Sequence, residues 1–261
     1  MFRMKTTDQP STLQDFPFAA AIQAVEDSLA FTDFDEFYQH LLHTLPQNSL
    51  ETRRRYASLV TRWFFPDHQL NSLLPRVWQA YHDDELMKQV ARALVLENEP
   101  VIARFVTDIV FPVPPGEPLP ADLGRDYIVA TYGIFKRNSY QRLLTTVHRL
   151  DFLARSGQQH RRELSRTWLV AAIPPPVDGL LILLHDRLAP TPRIVRVADL
   201  LATPWWRYLG LRTADDLRAA LRTAHAAGLI ARYSVVDDLE QITTRYALTD
   251  YLGQALRLPG R

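Results

Sequence analysis

Apolar positions recur at helical spacing through most of the first half of the chain. Phe16–Leu29, Phe34–Thr44, Ser49–Phe65, Leu73–Tyr81, Glu85–Glu97 and Val101–Ile109 each place apolar residues three and four apart, which predicts amphipathic helices. Each is bounded by Pro, Asp, Asn or Ser, residues that start and stop helices. The stretch "FPVPPGEPLPADLG" (Phe111–Gly124) is too rich in proline for helix or sheet and predicts a linker or an extended surface loop. Beyond it, Tyr127–Phe135 and Ser139–Ala154 predict a further helix pair, followed by the polar connection "SGQQHRRELSR". Trp168–Ile173 reads as a strand or short helix ended by three prolines, and Val177–Leu188 as an apolar helix. Helices over Val197–Ala202 and Ala214–Ala227, extended runs over Leu229–Val236 and Gln241–Leu248, and a last helix over Tyr251–Leu256 complete the pattern. The expected fold is mainly α, a helical bundle with helix-turn-helix elements and a C-terminal winged-helix-like module. The expected domains are 1–111, a proline-rich linker 112–124, and 125–261.

Three segments carry the helix-turn-helix pattern. In "NSLETRRRYASLVTRWFFP", Asn48 as N-cap would put Glu51 at the third helical position, a capping box. Tyr56, Leu59, Val60, Trp63 and Phe64 then form one apolar stripe. At about 100° per residue, Arg54, Ser58 and Thr61 fall opposite the stripe, Arg55 and Arg62 flank them, and Arg53 lies near the stripe's N-terminal end. The preceding helix is joined by the short link "LPQNS", and Arg, Ser and Thr suit phosphate contacts and base edges. The second segment, "KRNSYQRLLTTVHRLDFL", buries Tyr140, Leu143, Leu144, Val147 and Leu150. It turns Gln141, Arg142, Thr145 and Arg149 outward, with Lys136 and Arg137 ahead of the helix, where backbone N–H groups favour anions. In the third, Thr213 caps Ala214–Ala227, with Asp216 three residues on, and a glycine stop leads into two extended runs in which Ile242, Thr244, Tyr246 and Leu248 alternate onto one face. Its tip, Asp237–Glu240, is acidic and would repel phosphate, so Arg218, Arg222 and His225 suit a protein partner or an architectural role better than DNA.

Charge sharpens this picture. Residues 1–111 hold ten basic and fifteen acidic residues, net −5, whereas 112–261 hold twenty and fourteen, net +6. Residues 125–166 alone account for nine basic against three acidic. A positive patch attracts phosphate backbones without sequence discrimination. Only Lys5, Lys88 and Lys136 are lysines, and the abundance of arginine beside alanine and leucine also fits a GC-rich genome, so arginine content alone carries little weight.

The chain has no cysteine, which excludes disulfides, thiolate metal sites and cysteine nucleophiles and fits a cytoplasmic protein. "WLVAAI" and "GLLILL" are too short to span a bilayer, and the N-terminal stretch lacks the apolar core of a signal peptide, so no membrane association is expected. No glycine-rich phosphate loop, HExxH or GxSxG is present. "HDDE" (His82–Glu85) reads as an acidic helix start rather than a metal site, His185-Asp186 as a helix end meeting solvent, and Trp205-Trp206 as core, with a surface aromatic pair for a partner as the alternative. No catalytic residue, metal or cofactor is expected.

The arrangement resembles the BrxA family, the small helical proteins of BREX phage-defence systems. "NSLETRRRYASLVTRWF", "DELMKQVARALVLENEPVIARFVTDIVF" and "PPPVDGLLILLHDRL" leading to "LLATPWWRYLGLRTADDLRAALRTAHAAGLIARY" carry the resemblance, which spans about residues 15–250. It implies a non-enzymatic, mostly helical protein with helix-turn-helix or winged-helix parts and affinity for double-stranded DNA, with most weight on Arg53, Arg54 and Arg55. The expected partners are duplex DNA and other proteins of a defence complex. A helical adaptor without DNA affinity and a transcriptional repressor are the alternative expectations.

Overall fold

The computed structural model describes residues 18–156, 167–237 and 239–258. The fold is mainly α with two small antiparallel sheets, and among the described residues no helix is long and apolar enough to cross a membrane. The chain divides into two compact units. The first holds residues 99–173, and the second joins residues 18–98 to 174–258. The proline-rich stretch expected to separate two domains lies inside the first unit.

In the second unit, α1 (Phe18–Ser28), α2 (Phe34–Thr44), α3 (Leu50–Phe64) and α4 (Leu73–Tyr81) lead to α5 (Asp84–Asn98), the hub of the packing. Ten consecutive-face residues of α5, from Leu86 to Leu96, are buried, because it packs against α1, α3 and α4 as well as helices that arrive much later in the chain. The chief of these is α9 (Val177–Arg187), in which Leu180 to Leu184 are completely shielded. Burying each such aliphatic side chain stabilises the fold by about 1.5–3 kcal/mol. The two helices approach closely at Gly179, where a methyl group would lie 3.0 Å from Gln89 Oε1 and 3.2 Å from Gln89 Cβ.

The same unit contains β3 (Ile194–Arg196), α10 (Val197–Leu201), α11 (Trp205–Tyr208), α12 (Ala214–Ala226), β4 (Ile230–Val236), β5 (Leu239–Thr244) and α13 (Leu248–Gly253). Its sheet runs in the order β3-β5-β4. Thr213 caps α12 in a full capping box with Asp216, as the sequence predicts. The strand β3 is missed by the hydrophobic pattern, being three residues long with only Val195 buried. The second extended run ends sooner than expected: β5 stops at Thr244, and Leu248 opens a helix instead of extending the strand, so Tyr246 and Leu248 do not share its face.

In the first unit, α6 (Pro100–Arg104) widens into a π-helical turn over Phe105–Val110, where Phe111 N–H donates to Val106 O at 2.9 Å. Next come α7 (Ala121–Tyr132), α8 (Arg137–Arg149), β1 (Leu153–Arg155) and β2 (Trp168–Val170), with Leu153 opposite Val170. The helix α7 starts within the stretch expected to be a loop, since "ADLG" follows the last proline and is free to become its first turn. It ends at Gly133, whose φ of 76° lies in the left-handed region that glycine adopts without strain. The connection "SGQQHRRELSR" lies, apart from Ser156, outside the described residues, as does the N-terminal stretch to residue 17.

Candidate nucleic-acid interface

The helix pair α2–α3 forms as the sequence predicts. Asp33 caps α2 by accepting from Glu36 N–H at 3.0 Å, and the chain turns over residues 45–49 into α3. The cap of α3 is Ser49, one residue later than expected: its hydroxyl accepts from Thr52 N–H at 3.2 Å, so Thr52 rather than Glu51 takes the third helical position. Tyr56, Val60, Trp63 and Phe64 are buried, which turns Arg54, Arg55, Ser58 and Arg62 to the surface. Among the described residues, neither Arg54 nor Arg55 meets a carboxylate within ion-pair distance.

Two predicted contacts of α3 are placed differently. Arg53 is half-buried, and its Nη1 donates to Leu42 O at 2.8 Å, so it fastens α3 to α2. Thr61 is buried at 8% exposure and donates to Ala57 O at 2.7 Å. Its small side chain sits one turn from Phe65, on the border where the apolar stripe widens, which idealised helix angles do not register.

The second helix pair, α7–α8, belongs to the other unit. It leaves Lys136, Arg137, Gln141 and Arg142 exposed, with Thr145 and Arg149 half-buried. The helix α8 begins at Arg137, so Asn138 and Ser139 lie within its first turn and do not cap it. No acidic residue lies in that turn. Lys136 Nζ stands 5.8 Å from the centre of the Tyr132 ring, a cation–π distance that anchors the lysine at the helix start. Thr145 donates to Gln141 O at 2.9 Å. The α7–α8 crossing is tight: a methyl group on Gly124 would lie 2.5 Å from Tyr140 Oη.

The third helix, α12, is electrostatically different. Arg218 Nε donates to Glu240 at 2.9 Å, its Nη1 donates to Asp215 at 3.1 Å, and Tyr233 Oη donates to the same Glu240 carboxylate. Arg222 lies 5.7 Å from the Tyr233 ring centre. Burial opposes charge on Glu240, but the bonds from Tyr233 and Arg218 outweigh it and hold the carboxyl below its usual range. Arg218 is thus balanced within the module. Asp238, part of the acidic tip, lies outside the described residues.

The chemistry-bearing pairs flagged in the sequence have structural roles. Asp83 Oδ1 accepts from Glu85 and Leu86 N–H at 3.0 Å, opening α5, while His82 ends α4 in left-handed geometry. His185, expected to meet solvent at a helix end, is instead fully buried and pairs through Nδ1 with Ala189 O at 3.1 Å, whereas Asp186 faces Arg187 at 3.4 Å. Trp205 and Trp206 are core. Among the described residues, no group of three or more His, Asp or Glu side chains is placed to hold a metal ion.

A cleft of about 690 Å³ opens between α2, the C-terminal half of α3 and the turn Pro66–His68, with Ser58, Thr61 and Arg62 on its wall. Nothing in "FFPDHQ" signals it, because its two sides come from segments thirty residues apart. No family model, no curated protein and no solved structure matches the chain.

Proposed function

We propose that the protein is a non-enzymatic DNA-binding accessory protein of a bacterial phage-defence system, of the kind the BrxA resemblance implies. It grips duplex DNA mainly through phosphates. The observation that carries this reading is the contrast between α3 and α12. Arg54 and Arg55 stand exposed on the second helix of a tight pair with no carboxylate partner among the described residues, while Arg218 is spent on Glu240 and Asp215. Unpaired arginines release counterions when they meet phosphates, and paired ones must first break their ion pairs. Lys136, Arg137 and Arg142 on the α7–α8 pair supply a second exposed basic surface. The helix α3 then acts in the manner of a helix-turn-helix recognition helix.

The order α9, β3, α10, α11, α12, β4, β5 with its β3-β5-β4 sheet supports reading the C-terminal module as a winged helix, α11 being a single added turn. Its internally balanced charge, together with exposed Val235, Val236 and Leu239 on the hairpin, favours a protein partner for that module over DNA.

A duplex-binding titration across salt concentration tests the proposal. The double variant Arg54→Ala, Arg55→Ala is expected to bind more weakly and to lower the log–log salt slope by up to about 2, roughly 0.9 per lost phosphate contact. Absence of binding at low salt, or an unchanged slope in the variant, rejects it.

A further inference from the structure

The cleft beside α3 has walls of two chemical kinds. Phe34 and His68 stack face to face, with ring centres 4.3 Å apart and planes 3° from parallel, and Phe34 and Tyr38 stack more loosely at 6.3 Å and 28°. His68 reaches this position because Asp67 and His68 both take left-handed backbone conformations, with φ of 52° and 59°. Two successive non-glycine residues in that region are strained. Such strain gathers where a site needs a particular side-chain placement. The strain here places an aromatic ring in the cleft wall. Asp35 and Asp67 line the same cleft.

This wall suits a planar heterocycle. Aromatic side chains stack on any base, and a carboxylate accepts hydrogen bonds from the amino and imino groups of a base edge. Carboxylates repel phosphate, so phosphates belong beside Arg62 and Ser58, exposed residues that line the same cleft. Arg54, Ser58 and Arg62 are four residues apart in succession and form one stripe along α3, leading over roughly 12 Å from the helix's N-terminal half to the mouth of the cleft.

We infer that the cleft holds an unstacked base of a DNA strand whose phosphates lie along the Arg54–Ser58–Arg62 stripe, with preference for bases that carry an amino group. This rests on the DNA-binding reading above. It goes beyond that reading by assigning the protein a structural target, a duplex with an unpaired or terminal base.

The test uses the full chain and a duplex carrying 2-aminopurine as a single unpaired 3′ or 5′ base, with a distal dye reporting binding by anisotropy. Stacking in the cleft is expected to quench the 2-aminopurine emission several-fold at saturation. His68→Asn, which keeps a residue tolerant of left-handed backbone but removes the ring, is expected to abolish most of the quench while the anisotropy titration stays within about twofold. Tyr38→Leu provides a second variant, and far-UV circular dichroism checks both. Saturated binding with no quench at either end overturns the inference and leaves duplex binding standing. No rise in anisotropy at low salt overturns both. Quenching of free 2-aminopurine riboside monophosphate at equal affinity, without strand binding, assigns the cleft to a mononucleotide and overturns the strand-borne reading.

Discussion

Arg218 on α12 and Glu240 on β5 meet at 2.9 Å across the hairpin module, and Asp215 holds the other side of the same guanidinium. Arg218 therefore stands between two carboxylates, and the three groups together carry a net charge of −1. Glu240→Gln removes one negative charge and leaves Arg218 paired with Asp215 alone. Duplex affinity of the full chain at low salt is expected to rise several-fold, with the gain vanishing by about 0.5 M salt as screening shortens the range of the charge. A filter-binding titration of the variant against the parent checks this.

Adjacent arginines on α3 should behave differently. Arg53→Ala removes the bond to the Leu42 carbonyl and is expected to lower unfolding free energy by about 1–3 kcal/mol, as a charged hydrogen bond to a partly buried acceptor is lost. Arg54→Ala is expected to leave stability within about 0.5 kcal/mol, because its side chain is exposed, and to weaken duplex binding on the order of threefold to tenfold at low salt. Urea denaturation and a binding titration on the two variants separate the roles.

Gly124→Ala tests the α7–α8 crossing. The added methyl group would meet the Tyr140 ring at 2.6 Å and its hydroxyl at 2.5 Å, and Tyr140 is buried. A loss of about 1–3 kcal/mol is expected, the usual range for overpacking. Combining it with Tyr140→Leu should give less than the sum of the two single losses, because the second change makes the space the first needs. Chemical denaturation of the two single variants and the double variant reads this directly.

His185 predicts a pH dependence. Burial holds its pKa below the ordinary histidine value, partly offset by its bond to Ala189 O, so the folded state keeps it neutral. The unfolded chain takes up the proton first, near pH 6.5. Its stabilising contribution is therefore complete above that pH and is lost as pH falls below it, by at most about 1.4 kcal/mol per unit. Nearby Asp186 and Glu97 are raised by burial and respond in the opposite sense: they favour the fold at low pH and lose that contribution as pH rises through the carboxylate range. The Tyr251 ring facing His185 at 5.0 Å stays neutral throughout, its hydroxyl being held above its usual range by burial. Replacing His185 by Leu should flatten the fall in unfolding free energy between pH 7.5 and pH 5.5.

Most helices were readable because a period of 3.6 survives wherever one face is buried and the other wet. Phe34–Thr44 and Leu73–Tyr81 match to the residue. The same pattern could not place Thr61, whose burial depends on how widely its neighbours close over it, or β3, too short to show alternation. The exposure of Arg54, Arg55 and Arg62 on α3 and of Arg142 on α8 was legible from helical angles, whereas Arg149 is half-buried and Arg137, expected ahead of the helix, is its first residue. The pairing of Arg218 with Glu240 was visible only as an acidic tip, since ion pairing needs the hairpin's register. The Phe34–His68 stack was invisible: it joins distant segments through two left-handed residues that no local propensity marks.

The split of the second unit between residues 18–98 and 174–258 imposes an order on biosynthesis. When α5 leaves the ribosome its partner α9 is still some eighty residues from being translated, and the surface of Leu86 to Leu96 destined for it has nothing to cover it. Residues 99–173 can condense in that interval. The nascent chain then carries a finished insert within an unfinished host, and a ribosome stalled before α9 would release a polypeptide with a sticky apolar seam, a natural substrate for a chaperone.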